Sequence, residues 1–443
     1  MAFFYIHQDN GKILGKYLCK RFQALLLKNE NNEVFLGMVE EKHLPILQDT
    51  VKKHSQSFSE VVKITPQFFY QNFKFLSLQE NLITHQDNAG DLFAFILREA
   101  IAFEASDIHL EDFRGSGWLR FRINGDLESV AMIPAKSFKS LCSKIKLDSK
   151  LDITEIKQSQ DGYYSLILDS KNYDFRISVV PLFEGESIVI RVLYKDKTFL
   201  RLEDLNFSTH HLELIKKNSQ KTHGMILITG PTGSGKSSTQ YAILQNLQHK
   251  GLKIITIEDP IEYKMAFATQ IQVHPDFSFA SALRSILRQD PDVIMVGEIR
   301  DQETLSLAFR AALTGHLVIA TLHSNDVQSS FERLIYMGSD LHQILTSVLM
   351  IISQRLIKTL CPQCKKLGVG GYMADGCEYC NMQGVFGREV VSEILELNDE
   401  VKSQIKKYGL DSIFNKEFET LYKNARSKAK AGYFNQEEIE KLK

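Results

Sequence analysis

The segment GPTGSGKS, residues 230–237, constrains the fold of this chain more than any other feature. It matches the pattern G-x-x-x-x-G-K-[ST], follows the apolar run MILITG, and opens a helical pattern that extends to about Leu247. Glycines let backbone N–H groups converge on phosphate oxygens, and the start of the following helix presents positive partial charge to the same anion. A chance glycine-rich turn would not need this strand, spacing, lysine and serine together. The sequence therefore predicts a phosphate-binding loop between a strand and a helix.

The phosphate-loop motif predicts a role for two individual side chains. Lys236 is expected to reach the β- and γ-phosphates of a nucleoside triphosphate such as ATP, and Ser237 is expected to ligate Mg²⁺. The nucleotide-binding residues predicted here are Gly230, Pro231, Thr232, Gly233, Ser234, Gly235, Lys236, Ser237 and Ser238.

Strand and helix patterns alternate from residue 198 onward. The apolar runs KIITIE, DVIMVG and HLVIATL are separated by the helical patterns FASALRSILRQ and QETLSLAFRAALT. This alternation predicts an α/β domain with a mostly parallel sheet and helices on both faces. Glu258, Asp259, Glu262 and Glu298 follow two of the strands, so we expect them to converge on the metal and the γ-phosphate at one sheet edge. The alternative is that they are solvated loop acids.

Two histidines flank the run LVIATL. His316 precedes it and His323 follows it. A near-neutral pKa suits many catalytic and binding roles, but a histidine at a strand end is also a common structural residue. Spacing alone leaves both readings open.

The four cysteines of CPQCKKLGVGGYMADGCEYC form two C-x₂-C pairs separated by twelve residues. This spacing predicts a tetrahedral zinc site of the ribbon or knuckle kind, with a structural role because four thiolates leave no open position. Two such pairs outside a βαβ context disfavour a redox dithiol, and the expected cytosolic setting disfavours disulfides. Cys19 and Cys142 are expected to pack in cores. The predicted zinc ligands are Cys361, Cys364, Cys377 and Cys380.

Length and charge limit the remaining possibilities. With 443 residues, the chain is expected to form two to four domains, and we place them at 1–85, 86–197 and 198–443. The second is a strand-rich α+β module that begins with a helix, and the third includes the tetracysteine element at 361–388. A net charge of −1 gives no global electrostatic case for nucleic-acid binding and leaves only a local basic patch open. No signal-peptide pattern or membrane-spanning run is evident, so we expect a cytoplasmic protein.

From about Ala105 to Leu395, the chain resembles the secretion and type IV pilus assembly ATPases, in particular their type II secretion and pilus-extension branch. The resemblance rests on many motifs in a fixed order. They are ASDIHLE, RFRING, QDG, RISVVP, GESIVIRVL, GPTGSGKSST, IEDPIEY, RQDPDVIMVGEIRDQET, TGHLVIATLHSND, QRLIKTLCPQC and the paired C-x₂-C.

The resemblance implies a RecA-like ATPase core and a role for each motif. Glu262 matches the carboxylate that activates or orients water, and Glu298 matches the Walker B acid on the Mg²⁺ side. His316 and His323 match a histidine box near the nucleotide. Arg176 and Arg191 match the arginines of the preceding domain that reach the γ-phosphate in this family. Guanidinium groups are always charged and can bind two phosphate oxygens. Without the resemblance, these two would be read as salt-bridged strand arginines.

The resemblance further implies a hexameric ring, with ATP between the second and third domains and a PAS-like second domain. Residues 1–85 match the family's variable N-terminal domain, which docks on a membrane-associated platform partner or a secretion component. This predicts peripheral association with the cytoplasmic face of the inner membrane. Tyr163 stands where the family has an arginine, and tyrosine supplies no positive charge. A nucleic-acid translocase, a non-hydrolysing ATP-binding scaffold and a pilus-retraction motor are the alternatives.

Overall fold

The computed structural model describes residues 4–7, 10–29, 33–54, 57–169, 171–183, 185–194, 201–368, 371–380, 382–414 and 417–442. The chain forms two compact units. The first contains residues 1–196 together with 361–364 and 375–385, and the second contains 197–360, 365–374 and 386–443. The division after residue 196 lies next to the expected boundary at 197/198. Both ends of the tetracysteine element belong to the first unit, whereas the sequence placed the whole element with the third domain.

The N-terminal part of the first unit is a four-stranded sheet with the order β1-β2-β3-β4. Its strands are β1 (Phe4–Ile6), β2 (Ala24–Asn29), β3 (Val34–Met38) and β4 (Glu60–Lys63). Its helices are α1 (Asn10–Ile13), α2 (Gly15–Phe22), α3 (Leu44–Lys53), α4 (Pro66–Phe73) and α5 (Leu76–His85). β2 and β3 pair antiparallel. Pro66 at the first turn of α4 and the Thr65 side chain, which accepts from Phe68 N, start that helix.

The second part of the first unit is a six-stranded antiparallel sheet with the order β7-β6-β5-β10-β9-β8. Its strands are β5 (Asp107–Phe113), β6 (Ser116–Ile123), β7 (Asp126–Ile133), β8 (Gln160–Leu168), β9 (Lys171–Pro181) and β10 (Glu186–Tyr194). Its helices are α6 (Ala89–Ala102) and α7 (Ala135–Asp148). Residues on alternate positions of the strands bury one face against both helices. The predicted α+β module, with its leading helix, is present.

The second unit contains a seven-stranded sheet with the order β13-β12-β14-β15-β11-β16-β19. Its strands are β11 (Gly224–Thr229), β12 (Ile254–Glu258), β13 (Ala268–Gln272), β14 (Val293–Val296), β15 (Leu317–Leu322), β16 (Val348–Leu360) and β19 (Val385–Glu396). The pairs among the first six of these strands are parallel. A short hairpin joins β17 (Lys365–Gly368) to β18 (Gly371–Ala374) between the two cysteine pairs.

Helices cover both faces of the seven-stranded sheet. They are α8 (Thr209–Ser219), α9 (Lys236–Leu247), α10 (Phe279–Ile286), α11 (Gln302–Leu313), α12 (Val327–Tyr336), α13 (Leu341–Ser347), α14 (Asp399–Tyr408), α15 (Leu421–Lys430) and α16 (Gln436–Glu440). Met225 and Leu227 of β11 pack into one apolar core, and Ile226 and Ile228 pack into the other. Strands that are buried on both faces read as continuous apolar runs, which is why the sequence predicted this α/β domain. Within the described residues, no helix is long and apolar enough to cross a bilayer.

Candidate active site and candidate metal centre

The predicted phosphate loop connects β11 to α9 at the carboxyl end of the parallel strands. Gly235 has a φ of 87°, in the left-handed region that glycine adopts without strain, and α9 begins at the next residue. Lys236 Nζ donates hydrogen bonds to the carbonyl oxygens of Gly230 at 2.8 Å and Pro231 at 3.0 Å. The lysine side chain therefore curls back over its own loop. Burial lowers the pKa of Lys236, and the charge of Glu298 partly offsets this by raising it.

Two predicted acidic residues lie close to the loop. Ser237 Oγ donates to Glu262 Oε1 at 3.5 Å, which places the serine predicted to bind Mg²⁺ beside the carboxylate predicted to orient water. Glu298, on the segment that follows β14, lies 3.2 Å from His323 Nε2 through its Oε2 atom. The carboxyl ends of parallel strands meet at one sheet edge, so residues distant in sequence come together here.

Arg300 adds a positive charge to this acidic cluster. Its guanidinium group contacts Glu298 and lies 3.5 Å from Asp259 Oδ2. The hydrogen bond to Glu298 raises the pKa of the arginine. Sequence reasoning missed Arg300, although it follows Glu298 by two residues in the motif MVGEIRD. A cavity of about 580 Å³ opens beside His323 between Pro231 and α12.

Glu258 is buried. Its carboxylate accepts hydrogen bonds from the hydroxyl of Tyr241, from Thr256 Oγ1 at 2.5 Å, and from Gln270 Nε2 at 3.0 Å. The Gln270 side chain also donates to the carbonyl oxygen of Tyr263 at 2.7 Å. Glu258 thus connects α9 to the segment that carries Glu262. No sequence pattern identifies these partners, because they come from three separate elements.

The two predicted histidines lie at opposite ends of β15. His323 follows the carboxyl end, beside Glu298, whereas His316 precedes the amino end. His316 Nδ1 lies 3.0 Å from the carbonyl oxygen of Ala311, and its own carbonyl accepts from Gly224 N at the start of β11. A six-residue strand separates them by about 20 Å. Within this chain, the structure does not bring His316 to the phosphate loop.

Arg176 and Arg191 lie in the sheet of the first unit. The register places Tyr163, Arg176, Arg191 and Asp107 in one row across β8, β9, β10 and β5. Arg191 Nε donates to Asp107 Oδ1 at 2.9 Å, and its side chain remains 58% exposed. Tyr163 is therefore the cross-strand neighbour of Arg176. The two arginines form one surface with Tyr163 at its end.

The four predicted zinc ligands come together. The four Sγ atoms all lie within 4.8 Å of one another, and three of the Sγ–Sγ distances are 3.8 Å. Tetrahedral coordination with Zn–S bonds of about 2.3 Å separates sulfurs by about 3.8 Å, whereas a disulfide needs about 2.05 Å. Backbone N–H groups of Cys377 and Gly384 donate to Cys380 Sγ at 3.2 Å. Donor chemistry and spacing both fit a thiolate-bound metal.

The model of the type II/IV secretion system protein family matches residues 86–441. This chain belongs to that family. The match covers both predicted C-terminal domains, and the family consists of the ATPases to which the motifs pointed. The chain is therefore an ATPase of secretion or pilus systems, and the predicted fold class, a RecA-like core behind an α+β domain, is confirmed.

Curated relatives support the same assignment. The chain is 39% identical to "Type II secretion system protein E" of Dickeya dadantii over 394 residues, covering 84% of this chain and 79% of the relative. It is 40% identical to "Type IV pilus assembly ATPase PilB" of Myxococcus xanthus over 333 residues, covering 70% of this chain and 59% of the relative. The chain spans only part of the length of both relatives.

A solved structure shares the architecture. The crystal structure titled "Pilus Retraction Motor PilT and Bound ADP" superimposes with a TM-score of 0.57 at 28% identity, covering 79% of this chain and 96% of that chain. The retraction motor and this chain therefore have a common core fold.

Proposed function

We propose that this chain is a Mg²⁺-dependent ATP-hydrolysis motor that powers assembly of a type IV pilus, a type II secretion pseudopilus or a DNA-uptake pseudopilus. The observation that carries the proposal is the grouping of Lys236, Ser237, Glu262, Glu298 and His323 at one sheet edge. Lysine, serine and two carboxylates are the groups that phosphoryl transfer to water requires. Family membership connects this chemistry to secretion and pili.

The residues have separate roles in the proposed reaction. Lys236, which donates to the loop carbonyls in this structure, would bind the β- and γ-phosphates, and Ser237 and Glu298 would hold the metal. Mg²⁺, when bound, neutralises phosphate charge. Glu262 accepts a hydrogen bond from the attacking water and orients it, and His323 holds Glu298.

The first unit contributes its arginines to the same cycle. We propose that Arg176 and Arg191 contact the γ-phosphate, since guanidinium is always charged and matches phosphate oxygens. Asp107 accepts a hydrogen bond from Arg191 and so positions its guanidinium group. Tyr163 cannot supply a third charge, so this motor works with two such arginines.

The tetracysteine element is proposed to bind one structural Zn²⁺. Four thiolates complete a tetrahedral shell, so the metal cross-links the chain and leaves no position for substrate. Metal binding would contribute folding free energy to the short segments around Cys361 and Cys377.

The proposed working form is a hexameric ring at the cytoplasmic face of the inner membrane. Residues 1–85 dock on a platform protein or a secretion component, and the motor associates with the membrane through these partners. No direct binding to nucleic acid is proposed, because the formal net charge of −1 provides no general attraction for phosphate backbones.

A complementation experiment tests the proposed function. A strain that lacks the gene is complemented with wild type or Lys236→Ala, and three outputs are scored: surface pili, secreted proteins and transformation frequency. Loss of at least one output, restored only by wild type, supports the proposal and identifies the fibre. If all three are unaffected by the deletion, the chain does not power fibre assembly.

A further inference from the structure

Gln354, on β16, contacts the phosphate loop, and it is the first residue of the motif QRLIKTLCPQC, for which the sequence predicted no role at the nucleotide site. We infer that Gln354 is a positioning residue that holds the loop in its nucleotide-binding conformation. The inference rests on the proposed assignment of residues 230–238 to nucleotide.

Both ends of the Gln354 side-chain amide are engaged. Nε2 donates to the carbonyl oxygen of Ser234, in the loop, at 2.8 Å. Oε1 accepts from Thr239 Oγ1, on the first turn of α9, at 2.9 Å. Gln354 is 1% exposed, so neither bond competes with bulk water. A buried amide whose donor and acceptor are both paired is held in one orientation.

The backbone of the loop packs on the same residue. A Cβ atom on Gly230 would lie 2.5 Å from the carbonyl oxygen of Gln354, and a Cβ on Gly235 would lie 3.2 Å from its Nε2 atom. The glycines at the two ends of the loop therefore allow it to lie directly against Gln354. Close packing against Gln354 therefore explains why both positions are glycine. At Gly235, the left-handed φ is a second reason.

The bond to Ser234 determines the direction of the next amide group. In a planar trans peptide, the C=O of one residue and the N–H of the next point in opposite directions. Because Gln354 Nε2 holds the Ser234 carbonyl, the N–H of Gly235 points away from β16. Backbone N–H groups that are oriented before binding are what a phosphate loop uses.

The residues next to Gln354 hold a second part of the site. Ser353 Oγ donates to the carbonyl oxygen of Asn325 at 3.2 Å, and an Arg355 amino group donates to the same oxygen at 2.6 Å. Asn325 lies two residues after His323. The segment Ser353–Arg355 thus supports both the phosphate loop and the histidine segment, with Gln354 as its contact to the loop.

The test measures nucleotide affinity separately from stability. Gln354→Leu removes both hydrogen bonds, and Ile351→Ala serves as the control because Ile351 is buried on the same strand in the apolar core. The dissociation constant of a fluorescent ADP analogue, the melting temperature, and the kcat and KM for ATP are measured for each. Gln354→Leu is expected to bind the analogue about tenfold more weakly, the equivalent of one or two hydrogen bonds. Ile351→Ala is expected to lower the melting temperature with unchanged affinity.

Two further variants keep the inference testable if Gln354→Leu does not fold. Gln354→Glu retains the acceptor for Thr239 but loses the donor to Ser234, so it is also expected to weaken ADP binding. Thr239→Val removes the bond that orients the amide, and its effect is expected to be non-additive with that of Gln354→Leu. Wild-type affinity in Gln354→Leu, or in Gln354→Glu, would overturn the inference.

Lys236→Ala distinguishes the inference from the proposed function. If Lys236→Ala loses turnover and Gln354→Leu binds ADP normally, only the role of Gln354 is wrong. If Lys236→Ala keeps wild-type turnover and affinity, the assignment of the loop itself is wrong.

Discussion

The hydroxyl of Tyr241, on α9, donates a hydrogen bond to the buried carboxylate of Glu258, at the end of β12. The contact joins the helix that follows the phosphate loop to the strand that precedes Glu262. Burial, and then the charge of Glu258, raise the pKa of Tyr241 well above its ordinary value. The tyrosine therefore remains protonated and acts as a donor.

Tyr241→Phe tests this contact. The substitution removes one of three donors to a buried carboxylate, so the free energy of unfolding is expected to fall by about 1–3 kcal/mol. Urea denaturation measures the change. Tyr433→Phe, at a side chain that is partly exposed, is the matched control and is expected to leave stability unchanged. Equal stability of the two variants would contradict the role given to Tyr241.

Sequence patterns predicted the parts of the structure that have a local signature in the sequence. The α/β core, the phosphate loop and the cysteine cluster all have a characteristic spacing or periodicity, and each is present. β16 was missed, because an apolar run such as SVLMII does not distinguish a strand from a helix. The hairpin between the cysteine pairs was read as a loop because of its glycines.

The contacts within the site depended on tertiary structure. No spacing rule places Gln354 against Ser234, or Tyr241 against Glu258, because the partners belong to elements that are distant in sequence and meet only in the folded protein. From the sequence, Glu258 and Glu262 were both expected to converge on the metal and the γ-phosphate. The structure distinguishes them, since one is the last residue of a buried strand and the other is exposed.

Glu262→Gln tests the carboxylate that is assigned to the attacking water. The amide keeps the shape of the side chain but is a poor proton acceptor, so turnover is expected to fall about 10²–10⁴-fold while ADP affinity is retained. Steady-state ATP hydrolysis and nucleotide titration measure the two effects. Glu400→Gln, at an exposed position on α14, is expected to leave both unchanged. Wild-type turnover in Glu262→Gln would assign water orientation to another residue.

The metal centre is tested by substitution of single cysteines. Purified protein is expected to contain about one zinc per chain, and Cys377→Ser is expected to lose it because three thiolates no longer complete the shell. Elemental analysis gives the stoichiometry. Cys142→Ser, a buried cysteine outside the cluster, is expected to retain the metal. Metal-free wild type with free thiols at all four positions would contradict the zinc site.

His211 makes the stability of the second unit sensitive to acid. Burial lowers the pKa of His211 from 6.5 to about 4, although the nearby Glu419 raises it. Between these values, the unfolded chain binds a proton that the folded chain does not, so stability is lost as pH falls from 6.5 towards 4. His211 Nδ1 lies 2.9 Å from Ser392 Oγ in this buried contact.

His211→Gln isolates this contribution. Melting temperatures of wild type and variant are measured across the same pH range, where other groups titrate equally in both proteins. The wild-type curve is expected to fall more steeply on acidification than the curve of His211→Gln. Parallel curves would show that His211 has an ordinary pKa in the folded protein.

The most direct test of the account is ATP turnover by purified Lys236→Ala. Wild type is expected to hydrolyse ATP only with Mg²⁺, and the variant is expected to be slower by about 10²–10³-fold because the phosphates lose their fixed positive charge. Lys406→Ala, at an exposed position on α14, controls for the loss of a lysine. Turnover by Lys236→Ala equal to that of wild type would contradict nucleotide chemistry at the loop.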